Sequence, residues 1–536
     1  MTPSPPLRVL FLASEADPFV KVGGLGDVAG SLPPVIHHLT HPGILSLSKD
    51  TAGILSSSKD SPGILSLSKD SPGILSSPKD NALPPVDIRL VIPYHSAINP
   101  RAISPAHPLQ QVASFDLPHS NGPLRADIFQ TALNGMTVYL VGGAPMRQNV
   151  PVYSSDLGFD GYKYVFFSLA SLELARHLDW QPHLVHANDW HTAAALYAIS
   201  LRRATDPFYA QAATVLSVHN LPYLGAAADA SLHAFGLPPA LDSSLPDWAI
   251  HIPLPLGLLA ADRIVAVSPT YAQEIMTPDY GSGLHDFLRG RQDRVMGILN
   301  GLDIQRWNPA ADGELIANYN AETLERRKAN KVSLRDALSL DPERTGIAEE
   351  TPLLVMITRM DRQKGVDLML GALNQVLDLP WQAVILGTGQ FEIEAMARDL
   401  EQNHPQRVRA VIRFDPILSR RLYAAGDMIV IPSRYEPCGL TQMIAMRYGC
   451  IPVARATGGL RDTIQDGKTG YCFDEASPEA LARTLRRALK AYQNQAGWQA
   501  MQQLGMQTDF SWERSAQEYI RLYLELINQR SLLRSP

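Results

Sequence analysis

The stretch around residues 431–460 contains two strand–loop–helix units in direct succession. Residues 428–432 (MIVIP) are short, apolar and β-branched, as is typical of a buried parallel strand. The loop SRYEPCG follows, and apolar residues then recur at helical spacing from about Gly439. Residues 450–453 predict a second buried strand, after which TGGL opens a second helix. This alternation predicts an α/β fold with a parallel sheet.

Both loops of this stretch carry groups that suit an anionic ligand. In a parallel sheet, the loops that follow the strands lie together at the carboxyl edge, where ligands bind. Both helix N-termini then direct backbone N–H groups into one crevice, which favours a phosphate or a diphosphate. Glu436 lies in the first loop, and a carboxylate beside an anion site needs a role other than binding the anion. For an isolated glutamate, a solvated position in a capping loop would be the commoner explanation.

Composition argues against several classes of protein. The 536 residues carry a formal net charge of −6 without a basic run of five residues, so neither nucleic acid nor an anionic membrane is indicated as a partner. The three cysteines have no CxxC partner and no nearby histidine at metal spacing, which argues against a disulfide framework and a zinc site. No apolar run reaches the roughly 18 residues of a membrane helix. We expect a cytoplasmic protein of about two to four domains without a metal.

A glycine loop follows the first predicted strand. Residues 8–14 (RVLFLAS) predict the strand, and KVGGLGDVA includes the GxGxxG/A spacing of dinucleotide sites. The match alone is weak, and it leaves an NAD-dependent oxidoreductase as one alternative. Lys21, directly before the glycines, is unusual beside a nicotinamide cofactor and fits a substrate phosphate or sugar.

Two further loops of the first half place polar side chains after predicted strands. Asp189 and His191 follow the strand that begins near His183, and His219 and Asn220 follow the next one. A lone histidine is usually a packed or surface residue. Three such loops at one edge of a sheet, counting the glycine loop, shift the interpretation towards a binding site.

Residues 41–80 interrupt this alternation with four nearly identical decapeptides, each containing GILS and ending in KD. One Ile-Leu pair in every ten residues provides little apolar area, which favours a flexible low-complexity insertion over a small β-solenoid. Without the repeats, the first helix leads directly to a second strand.

The second half begins its own sheet at residues 353–358 (LLVMIT). Arg359 and Lys364 follow at a strand end and a helix entrance. A pair of solvated surface cations would be the ordinary explanation. The functional alternative is a clamp for a diphosphate, in which both cations oppose negative charge.

Several of these motifs resemble those of bacterial glycogen synthases and plant starch synthases. The resemblance rests on EPCGLTQ, TGGL, KVGGLGDV, HANDWH, HNL and RMDRQKG, and it covers the chain outside about 41–82 and 225–255. Two positions depart from the family pattern. Val22 stands where many members have threonine, and Pro416 stands where an acidic residue is frequent.

The resemblance implies a GT-B type glycosyltransferase with two Rossmann-like domains and the active site in the cleft between them. It places the first domain at 1–300, with the insertion at 41–80, and the second at 301–510. A final helix at 511–536 would pack back on the first domain. The implied reaction is transfer of glucose from ADP-glucose to the non-reducing end of an α-1,4-glucan (glycogen or starch), with retention of configuration and without a metal or other cofactor.

The resemblance also implies roles for individual residues. The residues implied in catalysis are Glu436, His219, Arg359, Lys364 and Asp189. The residues implied in substrate binding are Lys21, Gly23, Gly24, Asp27, Asn220, Asn300, Phe414, Cys438, Gly439, Leu440, Thr457, Gly458 and Gly459. Phe414 stands where the family has an aromatic residue against the nucleotide base.

Three alternatives remain open at this point. A related retaining glucosyltransferase would use UDP-glucose or another acceptor. A non-catalytic nucleotide-binding or glucan-binding protein would retain the motifs without activity. An NAD-dependent oxidoreductase would account for the first glycine loop and leave the motifs of the second half unexplained.

Overall fold

Two β-sheets with helices packed on their faces organise the chain, which is described by a computed structural model of residues 6–41, 83–146 and 150–532. The first sheet contains nine strands and the second contains six. The second sheet is entirely parallel, and the first is parallel apart from an antiparallel extension at one edge. The predicted α/β class with two Rossmann-like sheets is confirmed.

The strands of the first sheet are β1 (Leu7–Leu12), β2 (Val86–Pro93), β3 (Gln110–Leu117), β4 (Leu124–Leu133), β5 (Met136–Gly143), β6 (Leu184–Asn188), β7 (Ala213–Val218), β8 (Arg263–Ala266) and β9 (Val295–Gly297). The strands of the second sheet are β10 (Leu353–Ile357), β11 (Gln382–Gly387), β12 (Val408–Ile412), β13 (Met428–Ile431), β14 (Ile451–Arg455) and β15 (Tyr471–Phe473).

The helices before the second sheet are α1 (Gly24–Thr40), α2 (Leu157–His177), α3 (Trp190–Arg202), α4 (Asp229–Ala234), α5 (Pro253–Ala260), α6 (Pro269–Glu274), α7 (His285–Arg289), α8 (Arg327–Ala337) and α9 (Pro342–Thr345). The later helices are α10 (Val366–Asn374), α11 (Phe391–Asn403), α12 (Pro416–Ala425), α13 (Thr441–Arg447), α14 (Gly458–Thr463), α15 (Pro478–Tyr492), α16 (Gln495–Gln507) and α17 (Trp512–Leu532). None of the helices in the described part of the chain is long and apolar enough to span a membrane.

Continuous burial explains why the central strands are apolar runs. Every residue of β6, β7 and β13 is buried, because helices cover both faces of a parallel sheet. The strand predicted at 428–432 is β13, and the strand predicted at 353–358 is β10. The antiparallel strands β3 and β4 were not predicted. Most of the residues of β3 are exposed or half-buried, so its sequence lacks the continuous apolar pattern of the central strands.

Strand order defines a switch point in each sheet. The first sheet runs β3-β4-β5-β2-β1-β6-β7-β8-β9, and the second runs β12-β11-β10-β13-β14-β15. From β1 the chain continues to β2 on one side and later returns to β6 on the other. From β10 it continues to β11 and later returns to β13. Loops at the carboxyl ends of such strand pairs diverge and leave a crevice, which is where ligands bind in open α/β sheets.

Two segments connect the parts of the chain that carry the two sheets, and they lie side by side. The N–H of Leu302 donates to the carbonyl of Phe510 at 2.6 Å. Helix α17 then packs against α1, and the Tyr523 hydroxyl lies 2.7 Å from Nδ1 of the buried His186. The predicted domain boundaries near residues 300 and 510 stay predictions.

Gly301 provides a test of these two connecting segments. A Cβ atom at Gly301 would lie 2.5 Å from the Cα of Trp512, so backbone would have to move. We expect Gly301→Ala to lower stability by about 1–3 kcal/mol, the usual penalty of overpacking. Gly313→Ala is the matched control, because a Cβ there meets no atom within 4 Å. Chemical denaturation measures the free energy of unfolding of both variants. Equal denaturation midpoints for Gly301→Ala and Gly313→Ala would show that the two segments separate freely.

The predicted insertion at 41–80 lies outside the described residues except for His41. The described residues on either side of it are close together, since the N–H of Val86 lies 3.3 Å from the hydroxyl oxygen of Thr40. We expect a variant that joins His41 to Leu83 to keep the fold, and to keep the rate of the glucosyl transfer that the resemblance implies within a few-fold. Circular dichroism and a glucosyl-transfer assay measure this. Loss of the fold or of the transfer activity would show that the repeats are essential.

Candidate active site

The switch point of the second sheet brings together two loops that are far apart in sequence. Strand β10 pairs with β13 through Leu354 and Met428, so the loop that carries Arg359 and Lys364 lies beside the loop that carries Glu436. Gly365 allows the close approach. It has φ of 68°, and a Cβ there would lie 2.2 Å from the carbonyl oxygen of Pro432. Only glycine fits this position without strain.

Glu436 and Lys364 form an ion pair in this crevice. The Lys364 ammonium donates to both carboxylate oxygens of Glu436, at 2.9 and 2.7 Å, and the hydroxyl of Ser433 donates to Oε2 at 2.9 Å. Glu436 is 8% exposed, so the pair is largely shielded from water. The ion pair holds the carboxylate in one orientation, facing a pocket of about 200 Å³. The polar residues that line the pocket are Thr358, Arg359, Lys364, Ser433, Glu436 and Thr441.

Arg359 borders the same pocket but differs from Lys364 in its partners. Its guanidinium lies 3.1 Å from a carboxylate oxygen of Asp361 and 3.4 Å from the side-chain oxygen of Gln363. The side chain is 62% exposed. Arg359 is therefore free to turn towards an anion, whereas Lys364 is already held by Glu436.

The glycines of TGGL serve close packing of the loops. A Cβ at Gly458 would lie 2.0 Å from the carbonyl oxygen of Glu436, and one at Gly459 would lie 2.0 Å from that of Cys438. Gly439 has φ of 71°. Gly458 and Gly459 therefore let the two loops meet backbone to backbone beside Glu436.

The start of α14 is occupied by a side chain from the first half of the chain. Oε1 of Glu274 accepts hydrogen bonds from the Thr457 hydroxyl at 2.8 Å and from the Gly458 N–H at 3.0 Å. The Gly459 N–H donates to the carbonyl of Glu436 at 3.1 Å. In this arrangement, a phosphate reaches the first N–H groups of α14 only by displacing Glu274. The predicted role of Thr457, Gly458 and Gly459 in substrate binding stays a prediction.

Cys438 and Asn300 contact each other at the connection between the two sheets. The Cys438 sulfur lies near the backbone of Asn300, and burial raises the pKa of the Cys438 thiol to about 12. The thiol therefore stays protonated and unreactive at neutral pH. Nearby, the hydroxyl of Ser268 donates to the carbonyl of Pro437 at 2.6 Å. The loop of Glu436 is thus in direct contact with residues of the first half of the chain.

Asp189, His219 and Asn220 form a buried cluster at the carboxyl edge of the first sheet. One carboxylate oxygen of Asp189 accepts hydrogen bonds from the N–H groups of His219 at 2.7 Å and Asn220 at 3.4 Å. Asp189 has φ of 54°, which turns its side chain back towards these N–H groups. The imidazole Nε2 of His219 lies 2.9 Å from Oδ1 of Asn188. Burial lowers the pKa of His219 to about 4, so the ring is neutral at pH 7.

Burial raises the pKa of Asp189 to about 7, from an ordinary value of 3.8. The folded state therefore binds this proton more tightly than the unfolded state, and the resulting stability is present at low pH and lost as pH rises through 7. We expect Asp189→Asn, which keeps an acceptor oxygen, to remove this loss, worth up to about 4 kcal/mol. Urea unfolding across this pH range measures the difference. Asp474→Asn, at a residue whose side chain is 84% exposed, is the control, and parallel profiles for wild type and Asp189→Asn would contradict the expectation.

The glycine loop after β1 is held by Glu15, which the sequence analysis did not single out. Glu15 is fully buried, and its carboxylate accepts the N–H groups of Val22 and of Gly23, the latter at 3.1 Å. The Tyr153 hydroxyl donates to the same carboxylate at 3.0 Å. This carboxylate lies directly before α1, where a dinucleotide would place its diphosphate, which argues against the oxidoreductase alternative. The only signal in the sequence was the position of Glu15 directly after the strand.

The remaining predicted residues occupy distinct places. The ammonium of Lys21 lies 2.5 Å from a carboxylate oxygen of Asp27, so these two form an ion pair within the glycine loop. Gly24 begins α1, and Leu440 precedes α13.

Phe414 lies at the end of β12, two strands from β10, with 85% of its surface exposed. The structure therefore brings Arg359, Lys364 and Glu436 to one pocket, while Phe414 lies outside that pocket. His191 is buried, and its Nδ1 has no hydrogen-bond partner among the described residues.

The described residues contain no group of three or more metal-ligating side chains placed to hold an ion.

Comparisons with known proteins agree with this architecture. The family described as starch synthase catalytic domain matches residues 8–43 and 78–290, and the family described as glycosyl transferases group 1 matches residues 339–502. A glycogen synthase from Syntrophotalea carbinolica is 34% identical over 533 residues, which is 97% of this chain and 99% of that protein. A glycogen synthase from Thermotoga maritima is 34% identical over 530 residues, covering 96% and 98% of the two chains.

Two solved structures resemble the whole chain. The catalytic domain of starch synthase IV from Arabidopsis thaliana, bound to ADP and acarbose, is 28% identical with a TM-score of 0.78 and covers 98% of this chain and 100% of its own. A sucrose-phosphate synthase from Thermosynechococcus elongatus is 17% identical with a TM-score of 0.55 over the same shares, which shows the fold alone.

Proposed function

Because the chain belongs to the glycogen synthase and starch synthase family, we propose that it transfers glucose from ADP-glucose to the non-reducing end of an α-1,4-glucan with retention of configuration. The chain is a glycosyltransferase of the glycogen or starch synthase type. The proposal adds the donor nucleotide, the acceptor end and the residues that act. One observation carries it, namely the Lys364–Glu436 ion pair beside Arg359 in one pocket at the switch point.

The two cations are suited to the leaving group. As the bond between the anomeric carbon and the donor phosphate breaks, negative charge grows on the diphosphate. Arg359 and Lys364 provide fixed positive charge at that point, which stabilises the transition state more than the ground state. They take the place that a metal ion has in other phosphate chemistry, so we propose a reaction without a metal.

Glu436 is suited to the sugar. The anomeric carbon becomes positively charged in the transition state, and a carboxylate oriented by Lys364 and Ser433 stabilises that charge or holds the sugar hydroxyls. A double-displacement mechanism needs a second carboxylate about 5 Å away, and Glu436 is the single carboxylate among the described residues that line the pocket. We favour attack by the acceptor hydroxyl on the same face, with its proton passing to the departing phosphate oxygen.

The first half of the chain would complete the site. The neutral imidazole of His219 donates its Nε2–H to the side-chain oxygen of Asn188, which leaves Nδ1 as an acceptor for a sugar hydroxyl. Asp189 holds the backbone of His219 and Asn220 in place. The contacts of Ser268 and Glu274 with the loops around Pro437 and Thr457 support a site in the cleft between the two domains. Closure of the cleft would exclude water and protect the donor from hydrolysis.

A donor-competition assay tests the proposal. Purified full-length protein is given ADP-glucose or UDP-glucose with a glycogen primer, with and without a chelator, and glucan elongation is measured. We expect a higher kcat/KM for ADP-glucose and equal activity with the chelator. ADP was bound in the related starch synthase structure, which supports this donor. Higher kcat/KM for UDP-glucose would identify UDP-glucose as the donor, and binding without transfer would indicate a non-catalytic protein.

We also propose a cytoplasmic location, supported by three cysteines without a disulfide.

A further inference from the structure

A second and larger cavity lies at the opposite edge of the second sheet from the proposed active site. Its volume is about 1200 Å³. Residues just before three strands border it, namely Pro352 before β10, Pro380 before β11 and Asp427 before β13, together with helices α8, α15 and α16. These positions are at the amino ends of the strands, whereas Arg359, Lys364 and Glu436 follow the carboxyl ends.

Three cations from one face of α8 line this cavity. Arg327, Lys331 and Arg335 are spaced four residues apart, so they lie in one row along the helix. Arg327 and Arg335 are 7% and 2% exposed. Asp427 is the one buried acid that lines the cavity, and its carboxylate lies 2.6 Å from the Lys331 ammonium. The row thus has one counter-ion for three positive charges.

The two arginines have no carboxylate partner among the described residues. One terminal nitrogen of Arg327 donates to the carbonyl of Gly426 at 2.6 Å. Both terminal nitrogens of Arg335 donate to backbone carbonyls, one to Glu349 at 2.6 Å and the other to Thr351 at 2.5 Å. The Nε–H groups of both side chains are buried without an acceptor. Buried charges are costly unless they are paired and fully hydrogen-bonded. The arrangement therefore lacks negative charge.

Other properties of the cavity agree with a missing anion. Burial lowers the pKa values of Lys331 and Arg335, so a nearby anion would stabilise the positive charge that both side chains carry. In total, six basic and four acidic side chains line the cavity. The acids other than Asp427 are exposed at its mouth, where Glu349 pairs with Lys328 at 3.1 Å.

The walls leave room for an organic group beside the charges. Tyr492 and Trp498 provide aromatic surface, and the indole N–H of Trp498 is buried without an acceptor. Val332 on α8 also borders the cavity and is 48% exposed. Aromatic walls with a few convergent polar groups are usual for small-molecule sites.

We infer that this cavity binds a small phosphate-bearing molecule, at a site separate from the proposed active site. Two guanidinium groups and an ammonium in a row match the several charged oxygens of a phosphoryl group, since arginine binds phosphate through paired N–H groups. The ligand is either free inorganic phosphate or a phosphate ester whose organic part lies against Tyr492 and Trp498. Occupancy would couple α8 to the amino edge of the sheet that carries the active site at its other edge.

The test measures binding to full-length protein in which Arg359→Ala and Lys364→Ala remove the proposed diphosphate clamp. Inorganic phosphate and a hexose phosphate are titrated by calorimetry and by thermal unfolding, with potassium chloride at equal ionic strength as the salt control. We expect saturable binding of at least one probe and a rise in Tm that chloride does not produce. Binding of both probes would identify the phosphoryl group as the recognised part. Binding of the ester alone would show that contacts with the aromatic walls are needed as well.

Substitutions at Val332 decide whether the binding is in this cavity. Val332→Glu places a carboxylate at its mouth, and Val332→Gln is the uncharged control of the same shape. We expect Val332→Glu to weaken binding about tenfold or more and Val332→Gln to change it less than about twofold. Arg335→Gln should also weaken it, and where that buried substitution prevents folding, the Val332 pair gives the answer. Absence of saturable binding, or equal binding by the two Val332 variants, would overturn the inference. Both arginines would then serve only to donate hydrogen bonds to backbone carbonyls.

Discussion

Glu436→Gln is expected to lower kcat for glucosyl transfer by about 10²-fold or more, the effect of losing one electrostatic contact in a transition state. Glutamine has the size of glutamate but no charge, and one of its two terminal atoms becomes an N–H donor. That donor would face the Lys364 ammonium, which now donates to both carboxylate oxygens at 2.9 and 2.7 Å. The variant therefore loses the negative charge that we propose to lie opposite the anomeric carbon, and it loses the orientation of the side chain.

The same substitution should leave ADP affinity equal or higher. Lys364 without its carboxylate partner is free to interact with the diphosphate, so binding and catalysis would change in opposite directions. Steady-state kinetics and ADP titration measure the two effects. Glu475→Gln, at a residue whose side chain is 76% exposed, is the control for loss of a surface carboxylate. A kcat within a few-fold of wild type would remove Glu436 from the mechanism, and a large loss of ADP affinity would place it at the phosphate instead.

The sequence allowed a good prediction of the second sheet because its signals are local. The runs at 428–432 and 353–358 are continuous and β-branched, and a strand buried on both faces needs only such a run. The rule that loops at carboxyl ends meet then placed Arg359, Lys364 and Glu436 in one region. The ion pair itself was not predictable from spacing, since Lys364 and Glu436 are 72 residues apart and meet only because β10 lies beside β13.

Contacts between the two halves of the chain were not predictable either, because the residues that form them are far apart in sequence. Glu274 on α6 reaches the start of α14 across 184 residues, and no local pattern marks it. Glu15 was also not predicted. The sequence of the glycine loop does not show which carboxylate accepts its N–H groups. Conversely, the first helix N–H groups of TGGL, which the sequence predicted to face a phosphate, already have protein acceptors. Strand order and tertiary packing decide all three features.

Arg359→Ala and Lys364→Ala are expected to lower kcat/KM for ADP-glucose sharply, by roughly 10²-fold each, because in the proposed mechanism both oppose charge on the departing diphosphate. The structure predicts different secondary effects for the two. The Arg359 side chain is 62% exposed and contacts Asp361 and Gln363, so its loss should leave the stability of the protein unchanged. Loss of Lys364 leaves the largely buried carboxylate of Glu436 with the Ser433 hydroxyl alone. Lys364→Ala should therefore also lower Tm.

Two further variants separate the roles of Lys364. Lys364→Arg keeps a positive charge near Glu436 and should recover Tm more fully than kcat, because the guanidinium cannot take the same position between carboxylate and diphosphate. The double variant Arg359→Ala/Lys364→Ala should lose less than the sum of the two single effects on ΔΔG‡, since both residues act on one leaving group in the proposed mechanism. Single-turnover kinetics and thermal unfolding measure these quantities. Full additivity, or a Lys364→Ala variant that loses Tm while kcat/KM stays at the wild-type value, would show that the two cations do not form one clamp and that Lys364 serves only to hold Glu436.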